Sequence, residues 1–499
     1  MRKTPLFAAL ALGVATALAL VGCSGASSSS SAGTDASIAV GSLYEPVNLD
    51  NTAGGGQGVT EALNGNVYEG LFKLTDDGKV QPLLATGYKV SQDGLTYTFT
   101  LRDGVKFHSG KALTSADVKK SIERVTSADS QSARKSQLAV ISSIATPDAK
   151  TVVIGLKSRS ISLPYNLSYV WVYGPGTSNY KTAEDGTGPY TLGSWKRGSS
   201  LSLERWSGYW GSKAKNKEVV YDYFTDATAL SNALLTNQVD VVTSIQSPDA
   251  LTQFDGNKAY TISNGKSTTK ELLAFNDKVA PFDKAEVRKA VYSAIDTKKL
   301  LSSIWGKYGT LIGSMVPPSD PWYENLTKVN PYDVALAKKE LAQAGLPNGF
   351  SFTLDTPTYD PHPAVAEFLK SELAKVGITV NINSISADQW YTKVFKNHDF
   401  QATLQEHVND RDVVWYGNPD FYWGYNNPQV TQWVNEAEQA SSTAEQTAKL
   451  KLVNEQIAKD AASAWLYLYP QIVVASSSVS GYPVNGLNSQ FYAYDIVKK

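Results

Sequence analysis

The sequence predicts an α/β protein, because strand and helix signals alternate from Ser37 onward and no repeat of fixed period interrupts them. Strand–helix–strand succession of this kind implies largely parallel sheets. Ile38-Ala39-Val40 opens the series as a short buried strand ending near Gly41. Thr96 to Arg102 alternates, with Tyr97, Phe99 and Leu101 on one face, and Val105 and Phe107 continue beyond the Asp103-Gly104 turn. Thr151 to Leu156 is a further strand. Asp333 to Ala344 has the ends of a helix: Pro331 precedes it, Asp333 supplies a capping carboxylate and Gly345 closes it. Pro363 to Val376 carries Val365, Phe368, Leu369 and Leu373 at helical spacing, with Gly377 after it. Thr379 to Ser384 then sets Val380 and Ile382 against Asn381 and Asn383, and Ser442 to Ala462 reads as a long, mostly polar helix.

A chain of 499 residues exceeds what one small core organises. With 42% hydrophobic and 19% charged residues it has the balance of a soluble globular protein. The formal charge of −1 leaves no basic excess to neutralise phosphates, which argues against a general nucleic-acid partner. The 27 Tyr and 11 Trp offer large contact surfaces with a polar handle, suited either to a ligand cleft or to a large core.

The N-terminal 22 residues have the layout of an export signal. Arg2 and Lys3 form a basic start, and Pro5 to Val21 an apolar stretch too short for a convincing membrane span. It ends at Leu20-Val21-Gly22-Cys23, which resembles the lipobox of bacterial lipoproteins. Cys23, the only cysteine, would then carry the lipid, and no disulfide or Cys-based metal site is available. Residues 23–35, rich in Ser, read as a flexible tether. The expected location is the extracytoplasmic (periplasmic) face of the cell membrane, anchored by lipid.

Catalytic signatures are missing from the sequence. It has no Walker A loop and no G-x-S-x-G elbow, and the four histidines, His108, His362, His398 and His407, never fall at metal-ligand spacing. No motif marks an acid/base pair of carboxylates. The expectation is a protein that is not an enzyme, with no cofactor and no metal.

Several ordered segments carry a resemblance. They begin with Glu69-Gly70-Leu71, Asp93-Gly94-Leu95-Thr96-Tyr97-Thr98-Phe99, Leu101 through Gly110 and Ala116-Asp117-Val118. They continue with Gly186-Thr187-Gly188-Pro189-Tyr190, Tyr209-Trp210-Gly211, Phe275-Asn276, Pro281-Phe282-Asp283 and Val287 through Asp296. The mature chain thereby resembles the family 5 solute-binding proteins, the peptide/nickel-type components of ABC importers. The resemblance implies a bilobed periplasmic-binding-protein-like (type II) fold with an extra subdomain in lobe I. Lobe I would take residues 36–270 plus 482–499, with the subdomain at 84–183, and lobe II residues 271–481. The chain would cross between lobes near Asn276 and near Gly481. The protein would work as a monomer, handing a peptide or small-molecule solute to a membrane permease and its ATPase.

The resemblance also implies a cleft built from Leu43-Tyr44-Glu45, from Leu273 to Asn276 and from Gln405 to Trp423. The ligand-binding candidates are Tyr44, Glu45, Asn276, Glu406, His407, Arg411, Asp412, Trp415, Tyr416 and Tyr422. A peptide zwitterion needs a carboxylate, a guanidinium and aromatic walls, and all three occur among them. The alternatives are that Asp410, Arg411 and Asp412 form a solvated turn and that the aromatics pack the lobe. His108 is read as structural. Peptide-binding relatives often carry an Asp three residues after the Trp of this segment, where it holds the ammonium. Here Trp415 is followed at that distance by the neutral Asn418, so Asp412, Asp420 or Glu45 would have to replace it. A non-peptide solute, such as an oligosaccharide, an opine-like compound or a metal chelate, is the second reading.

Overall fold

A computed structural model describes residues 35–54, 56–75, 77–245, 248–487 and 489–499. The expected signal peptide, Cys23 and all of the tether but Asp35 lie outside these residues. Asp35 itself pairs with Arg205 at 2.5 Å.

Two large sheets organise the chain. The first has seven strands in the order Tyr260–Gly265, Gln471–Ser476, Val241–Val242, Ser37–Ser42, Glu218–Tyr223, Ser200–Arg205 and Tyr190–Lys196. The strand foreseen at Ile38–Val40 sits inside it, parallel to both neighbours, with Ile38 and Val40 fully buried. The second has five strands in the order Thr379–Ile385, Ser351–Pro357, Ala402–His407, Lys270–Phe275 and Ser463–Leu468. A four-stranded antiparallel sheet, Ala85–Val90, Thr96–Leu101, Thr151–Leu156 and Ile141–Asp148, packs its apolar face under helix Ser115–Thr126.

The sheets are mixed, not largely parallel. Parallel pairs occur where Ser37–Ser42 meets its two neighbours and where Ser351–Pro357 meets its two; the other pairs in both large sheets are antiparallel. Tyr190–Lys196 and Ser200–Arg205 are joined by a three-residue turn, a connection that only antiparallel strands allow.

Local signals fixed the helix ends well. Asp333 accepts hydrogen bonds from the Ala335 and Leu336 amides at 2.8 and 2.9 Å, starting helix Val334–Gln343. Gly345 beyond it has φ +84°, the left-handed conformation that ends such helices. His362–Ala374 and Thr443–Lys459 are the other two foreseen helices, the last capped by Ser442.

Both expected crossings move. Asn276 does not lie at one: its side-chain amide donates to the His398 and Phe400 carbonyls at 3.0 Å, within the five-stranded half. The chain passes between sheets at 266–269 instead, because all six residues of Lys270–Phe275 are already buried in the second sheet. The return falls at Tyr469-Pro470 and not near Gly481, since Gln471–Ser476 pairs with Tyr260–Gly265 in the first sheet. Gly481 is a turn residue with φ +79°, where a Cβ would meet the Asp495 carbonyl at 2.2 Å. The two connecting segments lie side by side, with the Tyr469 amide donating to the Thr269 carbonyl at 2.9 Å.

Candidate functional site

Among the described residues several cavities open between the half built on the first sheet and the half built on the second, and two of them are lined by carboxyl side chains. The larger, of about 1250 Å³, takes Arg134, Arg159, Ser160 and Tyr165 from the first half and Asp410, Arg411, Trp415 and Glu438 from the second. The smaller, of about 670 Å³, takes Tyr44, Gln57, Glu61 and Gln471 from the first, Glu406 and Val408 from the second, and the connecting residues Ser267, Thr269 and Tyr469.

Contacts across the larger cavity are specific. The Tyr165 hydroxyl donates to Asp410, the Ser160 hydroxyl donates to Glu438 at 2.5 Å, and the Ile161 amide donates to the Glu438 carbonyl at 2.9 Å. The Arg411 guanidinium lies 3.7 Å from the Tyr165 ring centroid, and that of Arg134 3.8 Å from the Tyr169 ring. Among the described residues neither guanidinium donates a hydrogen bond, so both keep their planar forks of N–H groups for a carboxylate. Arg411 has φ +58°, and its amide donates to Asp320 at 3.2 Å. Burial, then the neighbouring Asp410, push Asp320 up to about 8.

The turn at Asp410–Asp412 is not solvated: Asp410 is 7% and Asp412 3% exposed. Asp412 faces inward onto Lys270 at 3.1 Å and His407 at 3.4 Å. Burial works to raise its pKa, but Lys270 and then His407 hold it below the ordinary carboxylate value.

Of the ten foreseen residues, Arg411, Asp412 and Trp415 line the larger cavity and Tyr44 and Glu406 the smaller. The other five reach neither. Glu45 is turned to the sheet edge, accepting from the Trp195 indole and the Gly198 amide, each at 2.9 Å. Asn276 braces the second half, as described. His407 shares a 3.0 Å hydrogen bond with the Tyr422 hydroxyl. Tyr416 stacks on Trp423 at 4.3 Å and donates to Ser463 at 2.9 Å, which makes these aromatics core. Trp415, partly buried, stacks on Phe421 at 5.0 Å and lines the cavity. Sequence reasoning missed Arg134, Tyr165, Glu438 and Glu61, none of which stands in a motif.

A family model described as "Bacterial extracellular solute-binding proteins, family 5 Middle" matches residues 79–429. The chain belongs to that family. Family 5 proteins are solute receptors, and this one is the solute-binding component of an ABC importer, acting outside the cytoplasm. It is 31% identical over 375 residues to the glutathione-binding protein GsiB of Salmonella paratyphi A, covering 72% of this chain and 71% of that one. The solved structure of the ABC transporter-associated periplasmic binding protein DppA from Helicobacter pylori, in complex with peptide STSA, superposes with a TM-score of 0.78. The two are 22% identical over 93% of this chain and 98% of that one. AgaA from A. tumefaciens R10, in complex with agropinic acid, gives 0.78 at 24% identity, over 93% and 99%. Both confirm the type II binding-protein fold.

Proposed function

We propose that this receptor closes on a short peptide, or a zwitterion of similar size, and delivers it unchanged to a membrane permease. One observation carries the reading: the larger cavity brings guanidinium groups from both halves, and carboxylates from the second, to one solvent-accessible space. Arg134 and Arg411 suit a carboxylate, and Trp415 and Tyr165 give apolar walls. A glutathione-binding relative and a peptide-bound structural neighbour support the class. The agropinic acid complex supports the second reading, a non-peptide solute such as an oligosaccharide, an opine-like compound or a metal chelate.

Lobe I is proposed as residues 36–265 with 471–499, including the subdomain at 84–183, and lobe II as 270–468. The segments at 266–269 and Tyr469-Pro470 form the hinge. A solute touching both lobes favours the closed form, because the open form offers only part of its contacts. Reversing a hundredfold open preference takes a differential of about 5.5 kcal/mol. We propose further that Cys23 carries a lipid anchor, on the strength of Leu20-Val21-Gly22-Cys23.

Calorimetry with a pool of di- to hexapeptides tests the solute class. Saturable heat with a matching rise in melting temperature is expected; absence of both rejects peptide. Conversion of a bound peptide to fragments would reject delivery without chemical change.

A further inference from the structure

The smaller cavity differs in charge from the larger. Among its described lining residues there is no Lys, Arg or His, and its two ionisable acids, Glu61 and Glu406, come from opposite lobes. Glu61 belongs to helix Gly56–Leu63, is 5% exposed and accepts a long hydrogen bond, from the Thr243 hydroxyl at 3.4 Å. Glu406 belongs to strand Ala402–His407 and receives one long hydrogen bond, from the Tyr359 hydroxyl at 3.4 Å.

A third carboxylate stands behind them. Glu271 is the direct cross-strand partner of Glu406 in an antiparallel pair, so the two side chains leave the sheet on the same face. Glu271 is fully buried, and its Oε2 accepts from the hydroxyl of Tyr469, itself a wall of the cavity. Its Oε1 has no partner, nor does the Nε2 of the fully buried His362, 3.6 Å from Oε2. Leaving such groups unpaired in a protein interior is costly, so a donor arriving from the cavity side is favoured.

Other carboxylates at the lobe boundary already have partners. Asp412 faces Lys270 and His407, Asp410 accepts from Tyr165, and Glu438 accepts from Ser160. We propose that the smaller cavity is a subsite for a cationic group of the solute, an ammonium or guanidinium, held between Glu61 of lobe I and Glu406 of lobe II with Glu271 behind. Among the described residues no three His, Cys, Asp or Glu side chains are grouped to hold a metal ion, which favours an organic cation.

The subsite gives the cleft a polarity: positive end of the solute at the hinge, carboxylate toward Arg134 and Arg411. Strand residue Glu406 and loop residues Asp410 and Arg411 are close in sequence, so one segment of lobe II serves both cavities. Burial pushes Glu61 up to about 7 and Glu271 up to about 8, and raises Glu406 as well. The groups facing this cluster are Tyr44, Tyr359, His362, Asp360, Tyr467 and Tyr469, none of them a fixed cation.

The inference rests on the receptor reading above, and its test separates the two. Saturation-transfer NMR with butylammonium, butylguanidinium and neutral butyramide probes the subsite without any peptide. Transfer to the two cations and not to butyramide is expected, falling at least about fivefold in Glu406→Gln and in Glu61→Gln. The exposed Glu367→Gln should change nothing. Equal transfer to butyramide, or transfer unaffected by Glu406→Gln, overturns the subsite and leaves the receptor reading intact. A tripeptide pool and its N-acetylated counterpart, compared by calorimetry on the wild-type protein, supply the independent arm. Weaker binding of the acetylated pool, by about tenfold or more, supports the subsite, and equal binding overturns it. Seated cations with no heat from either pool reject peptide while keeping a cationic solute.

Discussion

The Arg411 guanidinium stacks 3.7 Å from the ring centroid of Tyr165, and the residue just before it, Asp410, accepts the hydroxyl hydrogen bond of the same tyrosine. One lobe I side chain is thus held by two successive residues of lobe II. The left-handed backbone at Arg411, φ +58°, allows neighbours in sequence to address ring and hydroxyl together. These contacts need no solute, so they stabilise closure of the free receptor. Tyr165→Phe keeps the stacked ring and removes a hydrogen bond to a charged acceptor, worth about 1.5–3 kcal/mol. The free variant should open, with a larger radius of gyration by small-angle scattering than the free wild type, and Tyr165→Ala should open further. Superimposable scattering curves would remove this latch from the account.

Arg134 packs its guanidinium 3.8 Å from the Tyr169 ring and offers its N–H groups to the larger cavity. Arg134→Met keeps much of the stem and loses the charge. Binding of tripeptides with free C-termini should weaken about tenfold or more, while their amides, already lacking the anion, should lose little. Calorimetry on the two peptide sets checks it, and an equal loss for both would assign Arg134 to packing.

The Lys270–Asp412 pair is a different kind of charge. Lys270 has a fully buried side chain, lies 3.1 Å from Asp412 and donates to the Asn409 carbonyl. Lys270→Met leaves Asp412 buried without its lysine partner, and breaking a buried pair costs about 3–5 kcal/mol. Urea denaturation should show that loss, and adding Asp412→Asn should recover part of it. An undiminished midpoint in Lys270→Met would mean that Asp412 takes up a proton at little cost.

What the sequence made legible was what neighbours in sequence decide. Asp333 and Gly345 mark the two ends of one helix by their own chemistry, and the alternation from Thr379 to Ser384 shows a half-buried strand. The lobe boundary was harder. Ile472 through Ala475 form an apolar run that either sheet would accept, and the choice is made by Tyr260–Gly265, about two hundred residues earlier. The site was partly legible for the same reason. Arg411 and Asp412 were both foreseen, yet one faces the cavity and the other a buried lysine, a division set by backbone handedness. Arg134 and Glu61 gain their meaning only from the lobe they face.

Glu271 makes stability depend on pH with a defined sign. Burial pushes its carboxyl from 4.5 up to about 8, against the opposing hydrogen bond from Tyr469. The folded protein therefore holds a proton that the unfolded chain has released, and stability falls as pH rises between those values. His362, lowered by burial from 6.5, acts in the opposite direction and only on the acid side of that value. Between pH 6.5 and 8 the Glu271 contribution stands apart from it, with Asp320, also at about 8, adding across the window and Glu61 and Glu69, each at about 7, adding in the lower part. The free energy of unfolding should drop across this window, and Glu271→Gln, which cannot ionise, should remove about 2 kcal/mol of that drop. Urea midpoints of both proteins, measured across the window without added solute, give the two slopes. Equal slopes would show that Glu271 is already ionised in the folded receptor.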